Sequence, residues 1–389
     1  MTRSTTRRSA AIAIALAVLT PVIAACGSQE QTSGCTPRAI AWLGARTGPA
    51  RRPPFQNGAE LAVHLYNQAH PECPVGYISF DSQGDPDIAT RLAQTIVDDP
   101  QIIAVVGPGY SGESSKALPI FELAGLPNVT ASATNPDLAT QGWTVFHRVS
   151  GNDAAQGPAS AAFLAQTLKV QRVAIIDDGS LYGKKLADLV AASLGERGIV
   201  VAPRGTVDPK GVDYRATVEA IAEIGVDAVY YGGVTEPGVR LLRQMRDAGV
   251  IAAFMGGDGV FDPSFISGVG SGSAGAYATC PCVDPGLTDT EARQQFRSDY
   301  EVFFGDAPVG FTMEYFDAAN LLLQAIESGV ASREAMDRWL DNVDIPGLTK
   351  QLSFTENGEI RVGPIQVLQV ISGRFVQVGA VVDGRFVAG

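Results

Sequence analysis

Histidine is scarce in this chain, with three in 389 residues. A Ser–His–Asp order or a His-rich metal spacing cannot be assembled from His64, His70 and His147 as they are placed. His64 and His70 flank the end of a predicted helix and read as surface residues. His147 follows "TVF" in a predicted strand and reads as a packed core residue. The stretch "GYSGE" (109–113) lacks the last glycine of a nucleophile elbow. The adjacent Asp177 and Asp178 stand at a strand end, where such residues cap a loop or line a cleft. No enzyme, metal or cofactor is expected. Basic runs are missing too, and the net charge is −12. An acidic surface of this kind argues against nucleic acid and anionic lipid as partners. Long apolar runs are absent: "AIAIALAVLTPVIAA" (11–25) is shorter than the ~20 residues of a spanning helix.

That short apolar run has another meaning. Arg3, Arg7 and Arg8 precede it and Cys26 follows it, the layout of an export signal. The four residues "IAAC" resemble a bacterial lipobox, which implies that Cys26 becomes a lipidated N-terminus. The polar "GSQEQTSG" after it would serve as a flexible tether. The expected division is a signal peptide over 1–25 and a lipidated tether over 26–36. Loss of the three leader arginines takes the net charge to −15.

Cysteine is sparse at five, and lipidation of Cys26 leaves an even four. Outside the cytoplasm, an even number suggests disulfides. Cys35 and Cys73 each precede a predicted strand. If those strands are neighbours, a Cys35–Cys73 bridge is plausible. Cys280 and Cys282 in "TCPCV" point the same way in an extended segment and can bridge each other. Zinc is the weaker alternative, because no histidine stands near the pair.

Apolar strand-like runs alternate with helical patterns from residue 39 onward. "AIAWLGA", "VGYISFD", "IIAVVG" and "PNVTAS" read as strands in the first half. "RVAIIDD", "GIVVAPRGTV", "DAVYYGG" and "AAFMGG" follow in the second. The runs are nearly continuous in apolar residues, as parallel sheets covered on both faces require. The cadence restarts near residue 150 at "RVSGNDAAQGPAS". After residue 280 a long helical stretch (288–341) gives way to an alternating, antiparallel pattern, with "ENGE" and "DG" as hairpin signals. The expected fold class is α/β, with two Rossmann-like lobes of parallel sheets joined by three hinge crossovers. The expected boundaries are 37–150 plus 284–348 for lobe 1 and 151–283 plus 349–389 for lobe 2. Hinges fall near 150–154, 280–285 and 346–352.

The spacing G-x-G-x-x-G occurs once in a suggestive place, at Gly107, Gly109 and Gly112 in "VVGPGYSGESS". A dinucleotide site expects an acidic residue about 20 positions on, at the end of the next strand. That strand ends instead in "VTASATN". A helix start attracts small anions through its unpaired N–H groups, and Ser111 stands at one. The loops "ASATN", "DDGSLYG", "YGGVTE" and "MGGDG" also follow strands, and ligands of open α/β sheets bind at those ends. Two facing lobes would gather all of them around one cleft.

With these segments in view, the chain resembles the type I periplasmic solute-binding proteins of the branched-chain amino-acid class. The resemblance rests on "GARTGP…FQNGAELA", "ATNPDLATQGWTVFHRVSGNDAAQGPASAAFL", "RVAIIDDGSLYGKKLA", "DAVYYGGVTEPGVRLLRQMRDAG", "AFMGGDGV" and "LSFTENGEI", nearly the whole chain after the tether. It implies that Ser111 takes the ligand α-carboxylate and that Thr134 touches both carboxylate and ammonium. It implies further that the Ser132 carbonyl accepts from the ammonium, with Ala133 between them. Tyr182 matches a cleft tyrosine of the second lobe. Asp258 stands where the family has a glutamate facing the ammonium, and is one methylene shorter. Tyr110 and Val234 (or Thr235) differ from the family's usual residues beside the ligand. Where the family places a tryptophan, this loop reads "ARRPPF". Arg51 and Arg52 read there as solvated rim charges, or one of them faces the cleft and favours an acidic or polar side chain.

The resemblance implies a monomeric substrate-binding lipoprotein of an ABC importer on the outer face of the bacterial cell membrane. It would bind a small amino acid, branched-chain or related, by hinge closure. A short amide, urea or small carboxylate is the alternative ligand. A ligand-sensing receptor module is the rival from another class.

Overall fold

A computed structural model describes residues 1–2, 37–361 and 363–389. The leader, Cys26 and Cys35 lie outside the described residues. Residues from Thr36 to Gly389 form one compact unit.

Two sheets organise that unit. The first holds β1 (Ala39–Gly44), β2 (Gly76–Asp81), β3 (Ile102–Val106), β4 (Asn128–Thr130) and β5 (Phe146–Arg148), in the order β2-β1-β3-β4-β5. All its pairings are parallel. β1 and β3 are buried along their whole length, which explains their unbroken apolar sequences. The helices over this sheet include α1 (Pro53–Ala69), α2 (Pro86–Asp98), α3 (Ser111–Leu123) and, from later in the chain, α10 (Thr312–Glu327). Asp85 caps α2 by accepting from the N–H groups of Asp87 and Ile88.

The second sheet collects β6 (Arg172–Asp177), β7 (Val200–Thr206), β8 (Ala228–Gly232), β9 (Ala253–Gly256) and β10 (Tyr277–Cys280) as a parallel set in the order β7-β6-β8-β9-β10. Three antiparallel strands extend it: β13 (Ile365–Ile371), β14 (Arg374–Val382) and β15 (Arg385–Ala388). β14 and β15 turn at Asp383-Gly384, both at positive φ, as the "DG" signal predicts. A two-stranded ribbon, β11 (Ile345–Pro346) with β12 (Gln351–Leu352), lies between the sheets in chain order. Of the helices here, α4 (Asp153–Gln166) packs on α5 (Leu181–Glu196). The others of this half are α6 (Arg215–Ile224), α7 (Thr235–Asp247) and α8 (Pro263–Val269).

The chain crosses between the sheets three times: after β5, after β10 and after β12. The stretch predicted as one long helical region is three helices, α9 (Glu291–Phe304), α10 and α11 (Arg333–Asn342). They are separated where Gly305 and Gly329 take positive φ. α10 packs on α1, and α11 on β3. The segment Phe354–Ile360, expected in the second lobe, instead sits beside β5, with Glu359 bridging to Arg148. Cys280 and Cys282 are disulfide-bonded to each other at the second crossover. Cys73 is also disulfide-bonded.

Candidate functional site

The C-terminal ends of both sheets converge on one small cavity. Arg52, Phe55, Tyr110, Ser111 and Ser132 line it from the first lobe, and Tyr182, Val234, Asp258 and Gly259 from the second. Each lining group comes from a loop that follows a strand or from the helix start just beyond it, as the open-sheet rule anticipates.

The glycine turn shapes the first wall. Gly107 has φ +110, and a Cβ there would come within 2.3 Å of the Leu43 carbonyl oxygen. Only glycine fits this close approach of β3 to β1. The turn delivers Ser111 as the first residue of α3, where the early N–H groups have no intrahelical acceptor. The Ser111 hydroxyl accepts from the Asn135 N–H at 3.2 Å, tying the helix start to the loop after β4. That loop carries Ser132, whose hydroxyl donates to the Gly109 carbonyl at 2.7 Å and meets the Tyr315 hydroxyl at 2.7 Å. Thr134 is fully buried. Ala133 is buried beside it, and its carbonyl turns away from the cavity to accept from Arg148 Nη1 at 2.6 Å.

The second wall centres on Asp258. The Tyr182 hydroxyl donates to Asp258 Oδ1 at 3.0 Å and accepts from the Gly259 N–H at 3.0 Å. Burial pushes the Asp258 carboxyl up to about 6. Hydrogen bonding and the charge of Arg52 act in the opposite sense. A second carboxylate, Asp153, starts α4 with both oxygens buried, beside Thr134. Burial first, and the Asp258 charge second, hold it well above the usual carboxylate range. Two desolvated carboxylates that repel each other form a place for a cation.

Arg52 is the departure from the sequence expectation. It is not a solvated rim charge: 7% of it is exposed, and it lines the cavity. Its Nη2 donates to Thr235 Oγ1 at 2.8 Å and to the Gly259 carbonyl at 2.6 Å, both on the second lobe. Its Nε stands 3.5 Å from Asp262 Oδ2, and the guanidinium lies 5.4 Å from the centre of the Phe55 ring. Arg51 is exposed. Tyr110 hydrogen-bonds the Ala50 carbonyl, which holds it against the same loop.

Several remaining candidates are occupied elsewhere. Asp178 accepts from the Val234 and Ser180 N–H groups, and Asp177 from the Gly179 N–H, so this pair shapes loops. His147 is buried, edge-on to Phe354. Thr235 is bound to Arg52 and to the Gly259 carbonyl. Phe55, Gly259 and Asp153 were not marked by the sequence pattern. The one available signal for Asp153 was its position at the start of a helix in "GNDAAQGP". No group of three or more metal-ligating side chains occurs among the described residues. No helix among them is long and apolar enough to cross a membrane.

Comparison with known proteins agrees with this architecture. A family model described as periplasmic binding protein matches residues 37–374. The leucine-, isoleucine-, valine-, threonine- and alanine-binding protein of Pseudomonas aeruginosa is 29% identical over 328 residues, 83% of this chain and 87% of that protein. The crystal structure of a leucine binding protein LivK from Thermotoga maritima superposes with a TM-score of 0.81 at 24% identity, covering 89% of this chain and 99% of that one. The branched-chain amino acid transporter substrate binding protein LivJ from Streptococcus pneumoniae, in complex with isoleucine, gives 0.80 at 22% identity, covering 91% and 100%.

Proposed function

Because the chain belongs to the periplasmic binding protein family, whose members bind solutes and are not enzymes, we propose that its cavity clamps the zwitterionic head of a single amino acid. The chain would then deliver that amino acid to an ABC importer. One observation carries this reading: Ser111 of one lobe and Asp258 of the other line the same cavity. A dry cleft needs a partner for each ligand charge. The helix start, Ser111 and Thr134 serve the carboxylate. Asp258, its neighbour Asp153 and the Ser132 carbonyl serve the ammonium. The names of its relatives point to the same head group carried on small side chains.

Ligand docks on the first lobe, and the second lobe closes over it by rotation at the three crossovers, bringing Tyr182 and Asp258. Closure is what the importer would read. The lipobox-like "IAAC" supports a lipid anchor at Cys26 on the outer face of the cell membrane, with the protein monomeric.

Calorimetry tests the head-group assignment. Amino acids should bind, while their deaminated acids should not. Asp258→Asn should cost ~2–5 kcal/mol, roughly 30-fold to several thousand-fold in affinity. Equal binding of an amino acid and its deaminated acid would refute the assignment.

A further inference from the structure

The groups assigned to the ligand head leave four other lining residues for its side chain: Arg52, Phe55, Tyr110 and Val234. Three of them offer no free donor. Phe55 and Val234 have apolar side chains, and the Tyr110 hydroxyl is spent on the Ala50 carbonyl. Arg52 is different. Both of its hydrogen bonds run from Nη2. Its Nη1 has no hydrogen-bond partner among the described residues.

Resting on the amino-acid reading above, we propose that Arg52 sets the ligand class: the bound amino acid carries a neutral hydrogen-bond acceptor, a hydroxyl or carboxamide oxygen, on a short side chain. An aliphatic side chain closed over Arg52 would bury N–H groups with nothing to receive them, and that loss is larger for a charged donor than for a neutral one. A site built to hydrogen-bond a substrate oxygen rejects the isostere that lacks it more strongly than an apolar pocket rejects an extra hydroxyl. The acceptor is neutral because Asp262, 15% exposed, already faces the guanidinium at 3.5 Å. A side-chain carboxylate would also enter a cleft lined by Asp258.

Isosteric pairs make the test. Calorimetry on the purified full chain should find threonine bound about tenfold or more tighter than valine, and asparagine likewise tighter than leucine. Asparagine should also exceed aspartate. Arg52→Met, checked for a wild-type circular dichroism spectrum, should bring the threonine–valine ratio to one or reverse it. Valine and leucine matching or exceeding their isosteres in the unaltered protein overturns the proposal, and does so whether or not the variant folds. Aspartate binding above asparagine overturns the neutral acceptor. Failure of every amino acid to bind refutes the head-group reading itself, and this inference with it. That outcome is distinct from binding without preference.

Discussion

Two arginines are buried in this molecule in similar surroundings, and they do different things. Arg148 is 0% exposed and Arg52 is 7% exposed. Each stands 5.4 Å from the centre of a phenylalanine ring, Phe146 or Phe55. Arg148 has every nitrogen engaged. Its Nε and Nη2 hold the Glu359 carboxylate, and its Nη1 donates to the carbonyls of Ala133 at 2.6 Å and Asn135 at 2.9 Å. All these partners belong to the first lobe or the hairpin beside it. Arg52 reaches across to the second lobe and leaves part of its fork unspent. Burial alone does not mark a functional cation. The two differ in how much of the guanidinium the protein itself occupies.

The largest way to break the comparison is Arg148→Met. It would unpair Glu359, 13% exposed, and leave two loop carbonyls without their donor, at a cost of ~2–4 kcal/mol, below the full cost of breaking a fully buried pair. Urea unfolding should show that loss, while the threonine-to-valine binding ratio stays as in the unaltered protein. A changed ratio with unchanged stability would exchange the roles of the two arginines. The expected fall in stability has a local cause: Arg148 ties down the loop after β4 through the Ala133 and Asn135 carbonyls.

The carboxylates differ as the arginines do, and pH separates them. Glu359 grips Arg148 at two nitrogens, whereas burial pushes Asp258 up to about 6 against its hydrogen bonds and the more distant charge of Arg52. Its folded value lies above the ordinary aspartate value of 3.8. This group therefore favours the ligand-free folded state below pH 4, and that contribution is lost as pH rises through about 6. Ligand affinity runs the other way, because the ammonium needs the ionised carboxylate. Affinity should fall by about tenfold per pH unit below pH 6. The ligand-free stability of the unaltered protein, measured against Asp258→Asn, should rise over the same interval. Affinity that is flat from pH 5 to 7 would remove Asp258 from the ammonium site.

The first lobe's wall was legible because its chemistry is tied to backbone position. A strand, a tight glycine turn and a helix start dictate where Ser111 stands, and the next strand end dictates Ser132 and Thr134. Parallel strands announced themselves as unbroken apolar runs, and the Asp383-Gly384 turn by its dipeptide. What was not legible depends on where long side chains travel. Nothing in "ARRPPF" tells which arginine turns inward, because the choice is made by partners 183 and 207 residues away, Thr235 and Gly259. The carboxylate of Asp153 is hidden for the same reason: its neighbour Asp258 comes from another strand end. The placement of Phe354–Ile360 beside β5 follows from the Arg148–Glu359 pair, and a local pattern carries no sign of it.

The smallest effect sharpens the comparison most. The Tyr182 hydroxyl donates to Asp258 at 3.0 Å and accepts from the Gly259 N–H. Tyr182→Phe keeps the ring and deletes both bonds, which should weaken ligand binding by ~1 kcal/mol, roughly fivefold. The deletion also withdraws a bond that favours the ionised form of Asp258, so the pH at which affinity begins to fall should move upward. A tyrosine that merely packs would keep its packing in the phenylalanine variant, and neither the affinity nor that midpoint would move. The midpoint therefore distinguishes a residue that tunes the ammonium's counter-ion from one that fills space beside it. Affinity measured from pH 5 to 8 on the two proteins reads the difference directly.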